Sequence, residues 1–189
     1  METVVTPEIR KMVGQSSQPR HAVDIVSESD IRRWVIATMD DSPFWYNDEV
    51  IGASRFAAGS APGPFPMRAV GHWKRRLGTP DPVRALDFDD DFRSGDESLD
   101  DPAIKISWPA GVGAFHAGNE VEYFQFARVG DRISVVETLV DIEEKQGRSG
   151  PLAVVHVDSV FTNQDGDVLI INHGTNIARR MPGHASGAK

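Results

Sequence analysis

Residues 131–143, Asp131-Arg132-Ile133-Ser134-Val135-Val136-Glu137-Thr138-Leu139-Val140-Asp141-Ile142-Glu143, belong to a second half of the chain written in β-branched, aliphatic and aromatic residues. Three more runs share that character, at 119–126, 152–162 and 168–178, and each reads as a strand. Between them lie Gln146-Gly147-Arg148-Ser149-Gly150 and Asn163-Gln164-Asp165-Gly166-Asp167. Both breaks mark antiparallel hairpins, and in the second Asp165-Gly166 supplies the positive φ that such turns need. Several strands are apolar on both faces, as at Val135, Val136, Leu139 and Val140, or at Val154, Val155 and Val157. A sheet covered on both sides accounts for this, with a helix on one face and a second subunit on the other.

Upstream of the strands the period changes to that of helices. Thr6-Pro7-Glu8 predicts a helix with Thr6 as N-cap and Pro7 in its first position, ending near Gly14. Residues 15–20 read as a polar loop, and 21–26 alternate weakly like a short strand. Ser27-Glu28-Ser29-Asp30 is a second cap, and Ile31, Trp34, Val35, Thr38 and Met39 behind it fall on one helical face. Pro43 is expected to stop that helix. Further helices are predicted over 48–57, ending at Gly59, and over 67–77, after Ala61-Pro62-Gly63-Pro64-Phe65-Pro66. Residues 87–101 carry eight acidic side chains against one basic, Arg93, and read as a solvated insertion. The expected organisation is an N-terminal helix and loop over 1–20, one domain over 21–180 with an acidic insertion near 80–112, and a disordered tail over 181–189.

Composition narrows the function. At 189 residues the chain suits one domain with a substantial core, and 40% hydrophobic with 25% charged residues is ordinary for a globular protein. A formal charge of −8 disfavours a nucleic-acid or anionic-membrane surface. There is no cysteine, hence no disulfide framework or thiolate zinc site. No apolar run approaches membrane-span length, and Met1-Glu2-Thr3-Val4-Val5 lacks the basic-then-apolar order of a secretion signal. A cytoplasmic protein with neither nucleic acid nor membrane among its partners is expected.

Three motifs, in order, carry a resemblance. The first is Asp40-Asp41-Ser42-Pro43-Phe44-Trp45-Tyr46 with its Ala-Pro-x-x-Phe successor. The second is Phe115-His116-Ala117-Gly118-Asn119-Glu120-Val121-Glu122-Tyr123 leading to Ala127-Arg128-Val129-Gly130-Asp131-Arg132. The third is Val160-Phe161-Thr162-Asn163-Gln164-Asp165-Gly166-Asp167. Together they resemble the fatty-acid-synthase-like N-terminal dehydratase branch of the MaoC-like hot-dog superfamily, and above all the non-catalytic subunit of heterodimeric (3R)-hydroxyacyl-thioester dehydratases. The resemblance implies an α+β hot-dog fold, an antiparallel sheet wrapped around a central helix. In catalytic members an Asp-x-Asn-Pro-x-His run supplies the acid–base pair. Laid on Pro43, that pattern puts Asp40 at the aspartate, Ser42 at the asparagine and Trp45 at the histidine.

An indole donates one hydrogen bond but shuttles no proton, and an exposed aspartate alone is a weak base near neutral pH. The resemblance therefore implies no catalytic dyad on this chain. Asp40 and His116 remain candidates, each against a plainer reading: a turn carboxylate and a structural histidine bonded to the backbone. Phe44, Trp45, Pro62, Gly63, Phe65 and Met67 are the implied acyl-binding surface. His156 and His173 fall in neighbouring strands, where pairing across the hairpin or a role on the sheet face is expected rather than a metal site. Gly111-Val112-Gly113 lacks the strand–helix unit of a dinucleotide loop, and Trp34 is expected in the core. Arg179-Arg180 and Lys74-Arg75-Arg76 are candidate phosphate contacts or ordinary surface.

The expected function is thus one subunit of a heteromeric (R)-specific enoyl-CoA hydratase or 3-hydroxyacyl-thioester dehydratase of lipid metabolism. A small MaoC-like hot-dog partner would supply the Asp/His dyad. No cofactor or metal is expected, the substrate arriving as a coenzyme A or acyl-carrier thioester. The alternatives are a non-enzymatic acyl-CoA-associated scaffold module and a hot-dog thioesterase, since fold alone does not choose among them.

Overall fold

The computed structural model describes residues 3–45, 47–54, 59–70, 104–148 and 150–181. The acidic run at 87–101, the predicted helix beyond Val70, Lys74-Arg75-Arg76 and the tail from 182 lie outside the described residues. Helix α1 is Pro7–Arg10, with the Ile9 amide donating to Thr6 Oγ1 and Pro7 in the first turn. Helix α2 is Glu28–Ala37, where the Asp30 amide donates to Ser27 Oγ at 3.2 Å. Pro43–Trp45 forms one 3₁₀ turn, α3 is Asp48–Ala53 with Asn47 as cap, and α4 is Phe65–Val70.

The end of α2 differs from expectation. Met39 adopts the left-handed conformation at φ 52°, and the Asp40 amide reaches back to the Val35 carbonyl at 3.1 Å. This is a Schellman closure, which terminates a helix through the backbone and needs no proline. Met39 is consequently 87% exposed and leaves the apolar face to Ile31, Trp34 and Val35.

The described residues form five strands in one antiparallel sheet of order β1-β3-β4-β5-β2, with β1 Arg20–His21 ahead of α2, then β2 Val112–Tyr123, β3 Ser134–Gly147, β4 Gly150–Thr162 and β5 Val168–Arg180. Both predicted hairpins are present. In the second, Asn163 Oδ1 accepts the amides of Asp165 and Asp167 at 3.0 and 2.9 Å, and Gly166 takes φ 85°. β2 begins seven residues earlier than residue composition implies, because pairing with β5 from Val112↔Arg180 onward carries its glycines and alanines along. Bulges between Leu139 and Asp141 and between His116 and Gly118 help curl the sheet.

Opposed residues of paired strands share a face, so the register fixes what lies inside the curl. One end of the concave face holds Val135, Phe161 and Ile170, packed with Ile133, Leu169 and the α4 residues Phe65 and Val70; Ile31 and Trp34 of α2 lie against this cluster. The other end holds Leu139, Ile142, Ala153, Val155 and Ala178, packed with Val4, Val5 and Ile9. Ile104, Ile106 and Trp108 close over this second cluster. Among the described helices α4 is the most enclosed, with Phe65, Pro66 and Val70 buried and the curled sheet packed against it at the first cluster. No helix among the described residues is long and apolar enough to cross a membrane.

Candidate functional site

The Schellman turn delivers Asp40 into a short loop whose hydrogen bonds converge on its carboxylate. Trp45 Nε1 donates to Asp40 Oδ2 at 2.7 Å, and the Ser42 amide donates to Oδ1 at 3.1 Å. The Phe44 amide donates to Ser42 Oγ at 3.4 Å, and the Phe44 and Trp45 rings meet edge to face with centroids 4.6 Å apart. The 3₁₀ turn at Pro43 curls the chain back so that residue 45 faces residue 40. Each carboxylate oxygen thereby accepts a hydrogen bond from within the loop. An indole nitrogen has no free lone pair to accept a proton, so Trp45 can hold this carboxylate in place but cannot exchange a proton with it.

The proline-rich segment docks beside this loop's elements. Ser60 bridges to Arg128, and the Ala61 amide donates to the Ala127 carbonyl at 2.7 Å. Pro62 and Phe65 are buried; Phe65 meets Trp34 edge-on at 6.2 Å within the first core cluster. Met67 is half-buried against the same cluster. At Gly63 the Tyr123 ring approaches so closely that an added Cβ would lie 2.6 Å from Cε1, so only glycine permits this contact between loop and edge strand. Between residues 23–26, α2 and α4 opens a cleft of about 330 Å³, with Arg33 and Arg68 at its rim and Phe65 at its floor. The Arg68 guanidinium lies over the Trp34 ring, 5.9 Å from its centre, and Arg33 pairs with Asp30 at 3.4 Å.

His116 is exposed on the concave side of β2, with Nδ1 3.4 Å from Asn176 Oδ1. It is opposed by an amide, not a carboxylate, and stands on a different element from Asp40. His156 and His173 do not pair with each other: the register sets His156 opposite Thr175 and His173 opposite Asp158. On the convex face His173 instead bridges strands, with Nδ1 2.7 Å from Asp158 Oδ1 and Nε2 3.0 Å from Glu122 Oε1. Hydrogen bonding to Asp158, then to Glu122, holds its pKa above the ordinary histidine value. Arg179 stacks over Phe115 at 5.8 Å, and Arg180 donates to the Ala110 carbonyl at 3.4 Å. No group of three or more His, Asp or Glu side chains among the described residues is arranged to hold a metal.

One set of residues escaped the motif reading. Between the two core clusters the concave face turns polar, with Ser159, Asn172, Asn176 and Asn119 beside Gly174. The signal is the alternation Ile170-x-Asn172-x-Gly174-x-Asn176-x-Ala178, polar where the flanking positions of the same face are apolar.

Known structures share this architecture. A chain of the ChsH1–ChsH2 complex from Mycobacterium tuberculosis superposes with a TM-score of 0.63 at 20% identity, over 96% of this chain and 94% of that one. A MaoC-like dehydratase from Rhodospirillum rubrum gives 0.53 at 21% identity, over 90% and 94%. The HadBC (3R)-hydroxyacyl-ACP dehydratase complex from Mycobacterium tuberculosis gives 0.52 at 17% identity, over 88% and 96%. The fold is therefore the hot-dog of the MaoC-like dehydratases. No curated protein matches the sequence. Residues 11–172 match the family model of the FAS1-like, dehydratase domain region, and the chain belongs to that family.

Proposed function

We propose that this chain is one subunit of a heteromeric (R)-specific enoyl-thioester hydratase or 3-hydroxyacyl-thioester dehydratase. In this reading it provides acyl-binding surface while a small MaoC-like partner supplies the Asp/His dyad. The observation that carries the proposal is the Trp45–Asp40 hydrogen bond at 2.7 Å. Hydration of an enoyl thioester puts the water oxygen on Cβ and a proton on Cα, so one group must take a proton from water and another must deliver one. Where a catalytic loop needs an imidazole beside this carboxylate, this loop has an indole, which cannot perform that exchange. The reacting pair then comes from another polypeptide.

The edge strand supports a partner there. β2 is 12 residues long with only β5 beside it among the described residues, and it exposes Phe115 and Tyr123, followed by Phe124. A long edge with unpaired backbone groups and exposed aromatics favours strand-to-strand docking. Two of the similar structures are themselves two-protein complexes, ChsH1–ChsH2 and HadBC. The test is hydration of crotonyl-coenzyme A by the purified chain alone, by a small MaoC-like subunit that has the Asp-x-Asn-Pro-x-His run, and by the mixture. Turnover that needs both, with co-elution of the two proteins, is expected. Turnover by this chain in isolation overturns the reading, and so does a partner whose activity and elution this chain leaves unchanged. Release of free thiol from a saturated acyl-coenzyme A would point to thioester hydrolysis instead.

A further inference from the structure

The concave face of the sheet has five successive cross-strand rows, read from β3 through β4 and β5 to β2. They are Val135–Phe161–Ile170–Tyr123, Glu137–Ser159–Asn172–Val121, Leu139–Val157–Gly174–Asn119, Ile142–Val155–Asn176–His116 and Glu144–Ala153–Ala178–Ala114. Val135, Phe161 and Ile170 of the first row belong to one core cluster, and Ala153 and Ala178 of the last row, with Leu139, Ile142 and Val155, to the other. The three middle rows hold a polar stripe that runs diagonally from Ser159 and Asn172 through Asn119 to Asn176 and His116 at the edge strand. Rows on one strand are about 6.7 Å apart, so the stripe extends over roughly 13 Å along β5.

This stripe is poorly explained as ordinary core. Asn172 is 9% exposed, and its Oδ1 is buried without a hydrogen-bond partner among the described residues. Ser159 directly opposite is equally buried. An orphaned amide oxygen in a sheet interior weakens the fold, and such groups need a physical reason. Gly174 supplies a second observation: a Cβ there would lie 3.7 Å from Asn119 Oδ1 and 3.8 Å from Asn172 Nδ2. The missing side chain leaves the two amides bordering the same small space. An amide pair both donates and accepts, which matches a hydroxyl or a carbonyl and does not match a methylene chain.

We propose that the stripe around Asn172, Asn119 and Gly174 binds a hydroxyl or keto oxygen carried on the acyl group away from the thioester. The chain then selects oxygenated acyl thioesters over plain alkyl ones. The inference rests on the acyl-thioester reading above and adds the substrate class to it. Apolar residues flank the stripe on the same face, Leu139 and Val157 to one side and Val121 to the other, so hydrocarbon on either side of the oxygen is accommodated. A ligand site of mainly apolar lining with a few placed polar groups is the usual form.

The test is calorimetric titration of the full-length chain, alone and with its MaoC-like partner, against decanoyl-coenzyme A and analogues carrying one hydroxyl or oxo group moved along the chain. At least one oxygenated analogue should bind about three- to tenfold tighter than decanoyl-coenzyme A, the gain of one net hydrogen bond. Asn172→Leu should abolish that preference while raising the melting temperature, since it removes an orphaned amide oxygen. Asn119→Leu, at an exposed position, should reduce the preference without a folding effect. Equal binding of all the compounds, or a preference that survives both variants, overturns the inference and leaves the acyl-thioester reading intact. Binding of none of them removes both.

Discussion

The hydrogen bond between Trp45 and Asp40 gives the sharpest quantitative expectation. The perturbation is a double-mutant cycle of Trp45→Phe, Asp40→Ala and the pair. A hydrogen bond with a charged partner contributes about 1.5–3 kcal/mol, and both side chains here are only half-buried, so the low end applies. Trp45→Phe keeps a ring against Phe44 and mainly removes the indole donor. Asp40→Ala removes that bond together with the Ser42 contact at 3.1 Å. Each single variant should lose about 1.5 kcal/mol, and the double variant clearly less than the sum, a coupling of about 1 kcal/mol. In a chain of this size each kcal/mol corresponds to roughly 2–4 °C in melting temperature.

Urea unfolding of the four proteins measures the coupling directly. A value below about 0.3 kcal/mol would mean that the two side chains act independently, and the account of the loop would be wrong. The same variants bear on function. In the mixture with a catalytic partner, Trp45→Phe should retain turnover within a few-fold. A collapse to background would place this loop in the reaction itself.

Three further outcomes follow from the fold. Deleting residues 1–10 removes Val4, Val5 and Ile9 from the second core cluster, all at most 2% exposed; at about 1.5–3 kcal/mol each the loss approaches the whole stability of a domain, so calorimetry should show no cooperative melt. Met39→Gly relieves a left-handed residue at an exposed helix end and should stabilise by about 1 kcal/mol in urea titration; an unchanged midpoint would contradict the strain assigned there. The His173 imidazolium donates to both Asp158 and Glu122, and its pKa is raised in the folded protein. Its contribution is therefore complete below the unfolded value near about 6.5 and disappears as pH rises through the folded one. Because these groups are substantially exposed, the effect stays under about 1 kcal/mol. The melting-temperature gap between the native chain and His173→Gln should shrink between about pH 6 and pH 8; a gap that grows would refute the assignment.

What was legible in the sequence is the chemistry that acts within a few residues. Thr6 and Ser27 cap helices because a side-chain oxygen meets an orphan amide three residues on, and Asn163 organises its hairpin in the same local way. Features decided by distant partners were not legible. The start of β2 looks like loop, with Gly113 and Gly118 among alanines, and becomes strand only because β5 extends to Arg180. Met39 continues the apolar helical period, yet the backbone closure at Val35 turns it outward. The histidines of β4 and β5 were expected as possible partners, but register sets each against a residue two positions away from the other.

The candidate site divides along the same line. Alignment of Asp40 and Trp45 on Pro43 was readable through the resemblance to the family motif, and the six residues from Asp40 to Trp45 then bring the indole onto the carboxylate. The polar stripe was not, because Asn172 and Asn176 alternate like any strand face until topology shows that this face is the inner one. That distinction has energetic weight. On the convex side an asparagine costs nothing, since water completes its hydrogen bonds. Inside the curl an unpartnered amide costs about 1–3 kcal/mol, and Val or Leu in the middle rows would join the two core clusters into one. A subunit that only scaffolded its partner would gain stability from that substitution and lose nothing. The amides therefore make physical sense as contacts to a polar group that enters the curl, and under the proposed function this chain would hold that group while a partner across the edge strand carried out the bond-making.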